Sequence, residues 1–152
     1  MLRIGLLSDT HGLLRPQVLD FLRGSDHIVH AGDICDPAIL EALAALAPLT
    51  AVRGNNDHGA WAEALPETAT VDIGGLRLHV LHDLAQLRPG IAAAGVQVVV
   101  TGHSHKPRIA REAGLLFVNP GSCGPRRFAL PVAAGELRVD GADVSAHTTV
   151  LL

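Results

Sequence analysis

Aromatic residues are the scarcest class in this sequence. Only 3% of the 152 residues are aromatic, with one Trp and no Tyr. Binding of single-stranded nucleic acid by base stacking needs several aromatic side chains, so the composition disfavours that function. The core must instead be built from Leu, Val, Ile and Ala. These residues dominate a hydrophobic fraction of 48%, which predicts a folded globular chain.

An excess of positive charge is also missing. Twelve Lys and Arg residues stand against 15 Asp and Glu residues, for a formal net charge of −3. No basic field is present to attract a polyanion, so we expect no nucleic acid polymer as a partner, and nuclease activity on long polymers is disfavoured. An apolar chain with only 18% charged residues is compatible with a homo-oligomer, such as a dimer or a tetramer.

Cysteines and long apolar runs are few. Cys35 and Cys123 are the only cysteines and lie far apart, which disfavours a disulfide framework and suits a reducing compartment. The apolar run at the start of the chain turns polar at Ser8, too early for a signal peptide or a membrane-spanning helix. We therefore expect a cytoplasmic protein without membrane association.

The first half of the chain alternates between two kinds of pattern. Apolar runs that end in polar loops predict strands at residues 2–7, 26–30 and 49–52. Helical spacing with proline in the first turn predicts helices at residues 16–23 and 37–46. This strand–helix rhythm predicts a largely parallel sheet with covering helices, and thus an α/β fold.

The second half contains two hairpin signals, at Gly74-Gly75 and Ala113-Gly114. We expect an Ala-rich helix at residues 84–94 and strands at residues 69–73, 76–81, 96–101, 108–112, 115–118, 129–137 and 143–150. No linker or repeat interrupts the chain. We predict one domain over residues 1–152, with two packed sheets in helix–sheet–sheet–helix layers.

The loops after five predicted strands share one chemistry, since they carry Asp, His and Asn side chains: Asp9, His11, Asp33, Asn55, His82, His103 and His105. Ligands of open α/β sheets bind beyond the carboxyl ends of the strands, so these side chains can converge. In extended backbone, residues two apart point the same way, which lets Asp9 with His11, and His103 with His105, face one cleft.

Carboxylates, imidazoles and an amide, without thiolates, suit Mn²⁺, Fe, Zn²⁺, Ni²⁺ or Co²⁺ more than a structural zinc site. Seven side chains are too many for one ion but fit two ions that share a carboxylate. Two-metal sites hold ions roughly 3.5–4 Å apart and activate water for in-line attack on phosphorus. The sequence therefore predicts a metal-dependent phosphoesterase, with Mn²⁺ as the first expectation for the metal.

The ordered motifs D-T-H-G, H-A-G-D, G-N-N-D, L-H-D and G-H-S-H, followed by N-P-G-S and P-R, resemble those of the calcineurin-like metallophosphoesterases. More narrowly, the chain resembles their small prokaryotic phosphodiesterase branch, the YfcE/MJ0936-like proteins. The resemblance implies a four-layer α/β/β/α sandwich of two mixed sheets and hydrolysis of a small phosphate ester by a metal-bridging hydroxide. It assigns the first metal to Asp9, His11 and His105, the second to Asn55, His82 and His103, and the bridge to Asp33.

The chain departs from the family where a histidine often serves as general acid, because Asn56 occupies that position. An amide cannot donate a proton in that role, which favours substrates with a good leaving group, such as aryl phosphodiesters. His58 is a candidate substitute, although a solvated loop histidine is the commoner case. Asp83 follows His82 and is expected either to hydrogen-bond a metal-ligating histidine or to cap the next helix.

Further residues and functions stay open at the level of sequence. Phosphate-binding candidates by charge and position are Arg53, Arg126 and Arg127. Asn119 and Ser122 are expected mainly to shape the turn around Pro120-Gly121. A phosphodiesterase is the leading prediction. The alternatives are a phosphomonoesterase with the same mechanism and a non-catalytic scaffold, as the retromer subunit with this fold illustrates. All seven ligand positions are kept, which disfavours the scaffold.

Overall fold

The computed structural model describes residues 1–152, which form ten strands and three short α-helices. In chain order they are β1 (Leu2–Leu7), α1 (Pro16–Leu22), β2 (His27–His30), α2 (Pro37–Ala44), β3 (Leu49–Ala51), α3 (Ala60–Glu63), β4 (Thr68–Ile73), β5 (Leu76–Leu81), a 3₁₀ turn (Leu84–Gln86), β6 (Val98–Val100), β7 (Arg108–Glu112), β8 (Leu115–Asn119), β9 (Ala133–Asp140) and β10 (Asp143–Val150).

The strands form two five-stranded mixed sheets. The first has the order β10-β9-β1-β2-β3, and the second has the order β4-β5-β6-β8-β7. The three strands β1, β2 and β3 run parallel, as do β5, β6 and β8, while the hairpin strands pair antiparallel with them. The carboxyl ends of each parallel set therefore lie along one edge of its sheet.

The main core fills the space between the two sheets. Strand periodicity explains which side chains enter it, since Ile4 and Leu6 of β1 point inward whereas Leu7 belongs to the cluster on the outer side. The second sheet contributes Leu78, Val80, Val98, Val100 and Val118. These aliphatic side chains form the aromatic-free core that the composition predicts.

Both outer faces of this sandwich are covered as well. Helices α1 and α2 bury Val18, Leu22, Ile39 and Leu43 against the first sheet. On the second sheet a smaller cluster consists of Leu81, Val96, Val99 and Leu115, with Leu87, Ile91 and Phe117 packed against it. The fold class of an α/β protein with two mixed sheets is confirmed, although turns rather than an α-helix cover the outer face of the second sheet.

The predicted helix at residues 84–94 is wrong. Only the 3₁₀ turn Leu84–Gln86 forms, and a series of turns follows it. Pro89 disfavours helical backbone in the residue before it, and Gly90 adopts a φ of 87°, which ends helical geometry. Leu87 and Ile91 still reach the second sheet, so the segment keeps its apolar contacts without the helix.

The strand whose bounds differ most from the prediction lies near the end of the chain. The strand expected at residues 129–137 is β9, which begins at Ala133 and continues to Asp140. Pro131 has no N–H to give to a ladder, and Phe128 adopts a φ of 54°, so the loop before β9 is longer than expected. Helix α3 was not predicted. None of the helices is long and apolar enough to cross a bilayer.

Candidate metal centre

The loops after β1, β2, β3, β5 and β6 meet where the carboxyl ends of the two sheets come together. Two groups of side chains there place potential ligand atoms within 4.8 Å of one another: Asp9, His11 and His105 in one group, and Asp9, Asp33 and His82 in the other. Four of these side chains are buried and that of His11 is half-buried. The structure thus brings five of the seven predicted ligands into direct proximity.

Asp9 is at the centre of this arrangement. Its Oδ1 atom lies 3.4 Å from His105 Nε2, 3.6 Å from His11 Nε2 and 3.8 Å from His82 Nε2. Asp33 complements it, since its Oδ2 atom lies 3.2 Å from His82 Nε2 and 3.6 Å from His11 Nε2. Two carboxylate oxygens therefore face imidazole nitrogens that belong to both predicted ligand sets.

Several of these atoms have no hydrogen-bond partner although they are buried. They are Asp9 Oδ1, His11 Nε2, His82 Nε2 and His105 Nδ1. Buried polar atoms are almost always paired, because an unsatisfied one costs about 1–3 kcal/mol. A group of unpaired oxygen and nitrogen atoms that converge is therefore the pattern of a cation site. The residues present fit divalent ions held by oxygen and nitrogen ligands.

The ring of His82 is oriented for coordination. Its Nδ1 atom donates to the carbonyl oxygen of Ala31 at 2.8 Å, so the neutral imidazole has its lone pair on Nε2, towards the two carboxylates. Burial lowers the pKa of His82, but the neighbouring carboxylates of Asp33 and Asp9 outweigh it, and the net shift is upward. The site thus favours positive charge at this position, which a divalent ion supplies.

Asp33 is held by residues of the loop after β3. The backbone N–H of Asn56 donates to Asp33 Oδ1 at 2.8 Å, and the Asn56 side-chain amide donates to Oδ2 at 2.9 Å. Burial raises the pKa of Asp33, but the nearby His82 ring and the bonds from Asn56 outweigh burial and keep the pKa below its usual range. The carboxylate is therefore ionised and fixed in position.

Asp57 fixes the backbone around that carboxylate, a role that the sequence did not reveal. Its Oδ2 atom accepts the N–H groups of Asp33 at 3.0 Å and Gly54 at 2.8 Å, and its Oδ1 atom accepts those of Ile34 at 2.9 Å and Cys35 at 2.8 Å. One buried carboxylate thus satisfies four backbone donors from two loops. Its place in the G-N-N-D motif was the only available signal.

The ligand loops are not extended, which corrects the reason given for their pairing. Asp9, His11, Asp33, His103 and His105 all adopt positive φ angles, between 45° and 70°. This left-handed conformation is uncommon for residues other than glycine and costs energy, so the surrounding contacts must hold it. Each pair converges because left-handed turns redirect the side chains, rather than by strand alternation.

Glycines allow these loops to approach one another. A Cβ atom on Gly54 would lie 2.2 Å from Asp33 Oδ1, and one on Gly102 would lie 2.0 Å from Ser8 Oγ and 2.9 Å from Asp9 Oδ2. Neither position has room for a side chain. Glycine at these positions therefore permits the backbone to approach the site closely.

The remaining two predicted ligands lie at the exposed side of the centre. Asn55 and His103 line a cleft of about 190 Å³ together with the buried His82, and this cleft has no apolar side chain in its wall. The rings of His82 and His103 are 5.2 Å apart, edge to face. The backbone N–H of His103 donates to Asp9 Oδ2 at 3.1 Å, which connects the loop of His103 to the group that contains Asp9.

Supporting residues surround the ligand loops. Ser122 Oγ donates to the carbonyl oxygen of Asp9 at 3.1 Å, and Asn119 Nδ2 donates to the carbonyl oxygen of Gly102 at 2.9 Å. Asn119 Oδ1 also accepts from the N–H of Gly121 at 2.9 Å, which is the predicted turn chemistry. Both residues therefore do more than shape a turn, because they hold the loops of Asp9 and His103.

His30 is buried beneath the centre as a neutral imidazole. Its Nδ1 atom accepts from the N–H of Gly32 and its Nε2 atom contacts Thr10 Oγ1, each at 3.1 Å. Burial is the main cause that lowers the pKa of His30 to about 3. These contacts give His30 a structural role at the end of β2.

The candidate phosphate-binding arginines and the candidate proton donor His58 differ in how close they lie to the clefts. Arg53 lines the polar cleft and pairs with Glu67 at 3.0 Å. Arg126 and Arg127 are exposed; Arg127 helps to lower the pKa of His105, although burial is the larger cause. His58 is exposed and lines none of the clefts, so the structure does not bring it to the centre.

The choice left open for Asp83 has a structural answer. Asp83 Oδ1 accepts from the N–H of Ala85 at 3.0 Å and so caps the 3₁₀ turn. His82 Nδ1 is bonded to the carbonyl oxygen of Ala31 instead.

The comparison with protein families agrees with this geometry. Residues 2–140 match the model of the calcineurin-like phosphoesterase superfamily domain. The chain belongs to this superfamily. Divalent metal ions are implied for such a metallophosphoesterase, and the two groups of converging ligand atoms provide candidate positions for them.

The chain is similar to proteins from several organisms. A probable metallophosphoesterase of Methanothermobacter thermautotrophicus is 34% identical over 95% of this chain and 90% of its own length. A phosphodiesterase of Methanocaldococcus jannaschii is 26% identical over 80% of this chain and 84% of its own length. The crystal structure of Chaetomium thermophilum Vps29 superposes with a TM-score of 0.80 at 20% identity, covering all of both chains, which shows a shared fold.

Proposed function

We propose that this member of the superfamily is a phosphodiesterase that uses two divalent metal ions to hydrolyse small phosphodiesters. One observation carries the proposal. The atoms Asp9 Oδ1, His11 Nε2 and His82 Nε2 are buried and have no hydrogen-bond partner, and the two nitrogens lie 3.6 and 3.8 Å from the Asp9 oxygen. A neutral imidazole with its lone pair towards a carboxylate is repulsive, and a cation between the two groups removes that repulsion.

The proposed ligand sets follow the two groups. Asp9, His11 and His105 would hold one ion, and Asn55, His82 and His103 would hold the other. Asp33 is proposed as the shared carboxylate, because its Oδ2 atom faces nitrogen atoms of both sets. Two such ions would supply an activated hydroxide as nucleophile and Lewis-acid polarisation of the phosphoryl oxygens. We expect Mn²⁺ to serve, with Ni²⁺, Fe, Zn²⁺ or Co²⁺ as alternatives.

The protein's own residues favour a diester with a good leaving group. Asn56 occupies the position next to the site from which a proton donor could act, but its side-chain amide is engaged with Asp33. His58 is exposed and lines no cleft. Since no acidic side chain lies at the leaving oxygen, the rate at which the leaving group is expelled depends on the stability of the alkoxide or phenolate that forms.

The experiment compares two chromogenic substrates on metal-stripped protein reconstituted separately with Mn²⁺, Ni²⁺, Co²⁺ and Zn²⁺. We expect bis-p-nitrophenyl phosphate to be hydrolysed faster than p-nitrophenyl phosphate, with activity lost in Asp33→Ala and His103→Ala. The matched control is His147→Ala, at an exposed histidine on β10, which should keep full activity. Faster monoester turnover would favour a phosphomonoesterase, and no turnover with any metal would favour a scaffold.

A further inference from the structure

A second cleft opens directly beside the polar one. Its volume is about 310 Å³, and His103 and Asp83 belong to the walls of both clefts. The two spaces are therefore adjacent, separated by a residue that we propose as a metal ligand. A group bound at the centre can extend into this second cleft, which we refer to as the side cleft.

The walls of the side cleft differ in chemistry from those of the polar cleft. Phe117 and Leu84 contribute apolar surface, and Val118 lines it as well. The polar cleft has no apolar side chain at all. Phosphoryl oxygens therefore suit the polar cleft, whereas an organic substituent gains from burial in the side cleft.

Phe117 is well placed to contact a flat ring. It lies on β8 with one side against the cluster on the outer face of the second sheet, and it stays half-buried rather than closed off. An aromatic ring offers offset or edge-to-face packing to another ring. The chain has only three Phe and one Trp, so few clefts could have an aromatic wall by chance. One of these four side chains nevertheless lines the cleft beside the candidate centre.

Size and polarity agree with an aromatic occupant. A cavity of about 150 Å³ accommodates benzene, so the side cleft holds a substituted aryl ring or a nucleobase. Ser104 lines the side cleft as well, and Lys106 contributes a positive charge to its wall. An anionic phosphoester that carries a ring matches both features.

We propose that the side cleft binds an aromatic ester arm of the substrate and that Phe117 sets this specificity. The inference rests on the proposed function for the position of the phosphoryl group. It narrows the substrate class to phosphodiesters with at least one aryl or nucleoside arm. Phe117 would contact the substrate without taking part in the chemical step.

The test is a binding experiment that needs no turnover. Mn²⁺-reconstituted protein is titrated by calorimetry with phenylphosphonate and with methylphosphonate, whose carbon–phosphorus bonds a phosphoesterase does not hydrolyse. Burial of one face of a ring should make phenylphosphonate bind about tenfold more tightly. In Phe117→Ala the two affinities should become nearly equal, while methylphosphonate binds as it does to the wild type.

Two further variants control for misfolding and for apolar surface outside the cleft. Phe117→Leu keeps apolar volume against the outer cluster, so it should fold normally yet lose most of the preference for phenylphosphonate. Ile109→Ala removes an exposed apolar side chain on the neighbouring strand β7, outside the cleft, and should keep the full preference.

The outcomes separate this inference from the proposed function. Equal affinity of wild-type protein for the two phosphonates, or an undiminished preference in both Phe117 variants, would overturn the side cleft as an aromatic subsite even if diesters are hydrolysed. Loss of the preference in the Phe117 variants would support the subsite even if no diester is turned over. Failure of both phosphonates to bind would overturn it.

Discussion

Asn56 holds both oxygens of Asp33, by its backbone N–H at 2.8 Å and by its side-chain amide at 2.9 Å. The Asn56 amide, which cannot act as a general acid, thus positions a carboxylate. With Asp57 bonded to the backbone of the same loop, Asp33 is fixed from two directions. The centre has its ligands arranged in advance and has no evident protein acid.

Removing the Asn56 side chain should weaken metal binding. In Asn56→Ala the backbone bond to Asp33 remains but the bond from the amide is lost. Residues that orient metal ligands typically contribute 10- to 100-fold in affinity, so we expect a loss of about tenfold in affinity for Mn²⁺, measured by competition with a chromogenic chelator. The control is His58→Ala on the same loop, which should change nothing. Unaltered affinity in Asn56→Ala would refute the positioning role.

The rate should depend steeply on the leaving group. We expect kcat/KM for a series of methyl aryl phosphates to fall as the pKa of the leaving phenol rises, because no side chain is placed to protonate it. Asn56→His should flatten this dependence by restoring a donor, since a positioned general acid contributes about 10²–10⁴-fold for poor leaving groups. A shallow dependence in the wild type would show that a proton donor already operates, and loss of that donor in His58→Ala would identify it.

Asp57→Asn should destabilise the fold although it is isosteric. The substitution turns one of the two acceptor oxygens into an NH₂ group that faces backbone N–H donors of Asp33 and Gly54, or of Ile34 and Cys35. We expect a loss of about 2–4 kcal/mol in the free energy of unfolding, measured in urea on metal-free protein.

Asp36→Asn is the matched control for that experiment. Asp36 caps α2 by accepting the N–H of Ala38 at 2.9 Å. Asn serves equally well at an N-cap, so the same chemical change should cost under about 0.5 kcal/mol there. Similar losses at the two positions would contradict the role given to Asp57.

Acid should destabilise the metal-free protein through His30. Its pKa is about 3 in the fold, chiefly because of burial, against 6.5 for an unperturbed histidine. The unfolded chain therefore binds more protons between these values. Stability is complete above pH 6.5 and falls as the pH drops towards 3, by about 2 kcal/mol at pH 5.

Urea midpoints between pH 7 and pH 5 measure this effect in wild type, His30→Gln and His147→Gln. The His30→Gln variant has no titrating group at that position. Its free energy of unfolding should therefore lose about 2 kcal/mol less than that of the wild type between pH 7 and pH 5, whatever its value at pH 7. The exposed His147 should leave the dependence unchanged. A wild-type slope in His30→Gln would rule out His30 as the source.

The fold and the candidate ligands were accessible from the sequence for a physical reason. Apolar runs that end in Asp, His or Asn mark the carboxyl ends of strands, and parallel pairing brings those ends together. The helix predicted at residues 84–94 was wrong because the prediction followed their Ala content, whereas Pro89 and Gly90 prevent a helix. The prediction that Asp33 is the bridging ligand stays a prediction, since Asp9 Oδ1 also faces both ligand sets.

What the sequence could not give depends on contacts between distant loops. Three of the four N–H bonds to Asp57 and both hydrogen bonds from Asn56 to Asp33 join residues more than 20 positions apart, and no local pattern encodes them. The left-handed backbone at Asp9, His11 and His103 is equally a product of the folded surroundings, because sequence preference would place glycine or asparagine there.

The most direct test of the central claim is an anomalous diffraction measurement on crystals of the Mn²⁺-reconstituted protein. The account predicts two peaks roughly 3.5–4 Å apart, one among Asp9, His11 and His105 and the other among Asn55, His82 and His103, with the Asp33 carboxylate between them. A single peak, or peaks away from these side chains, would contradict it.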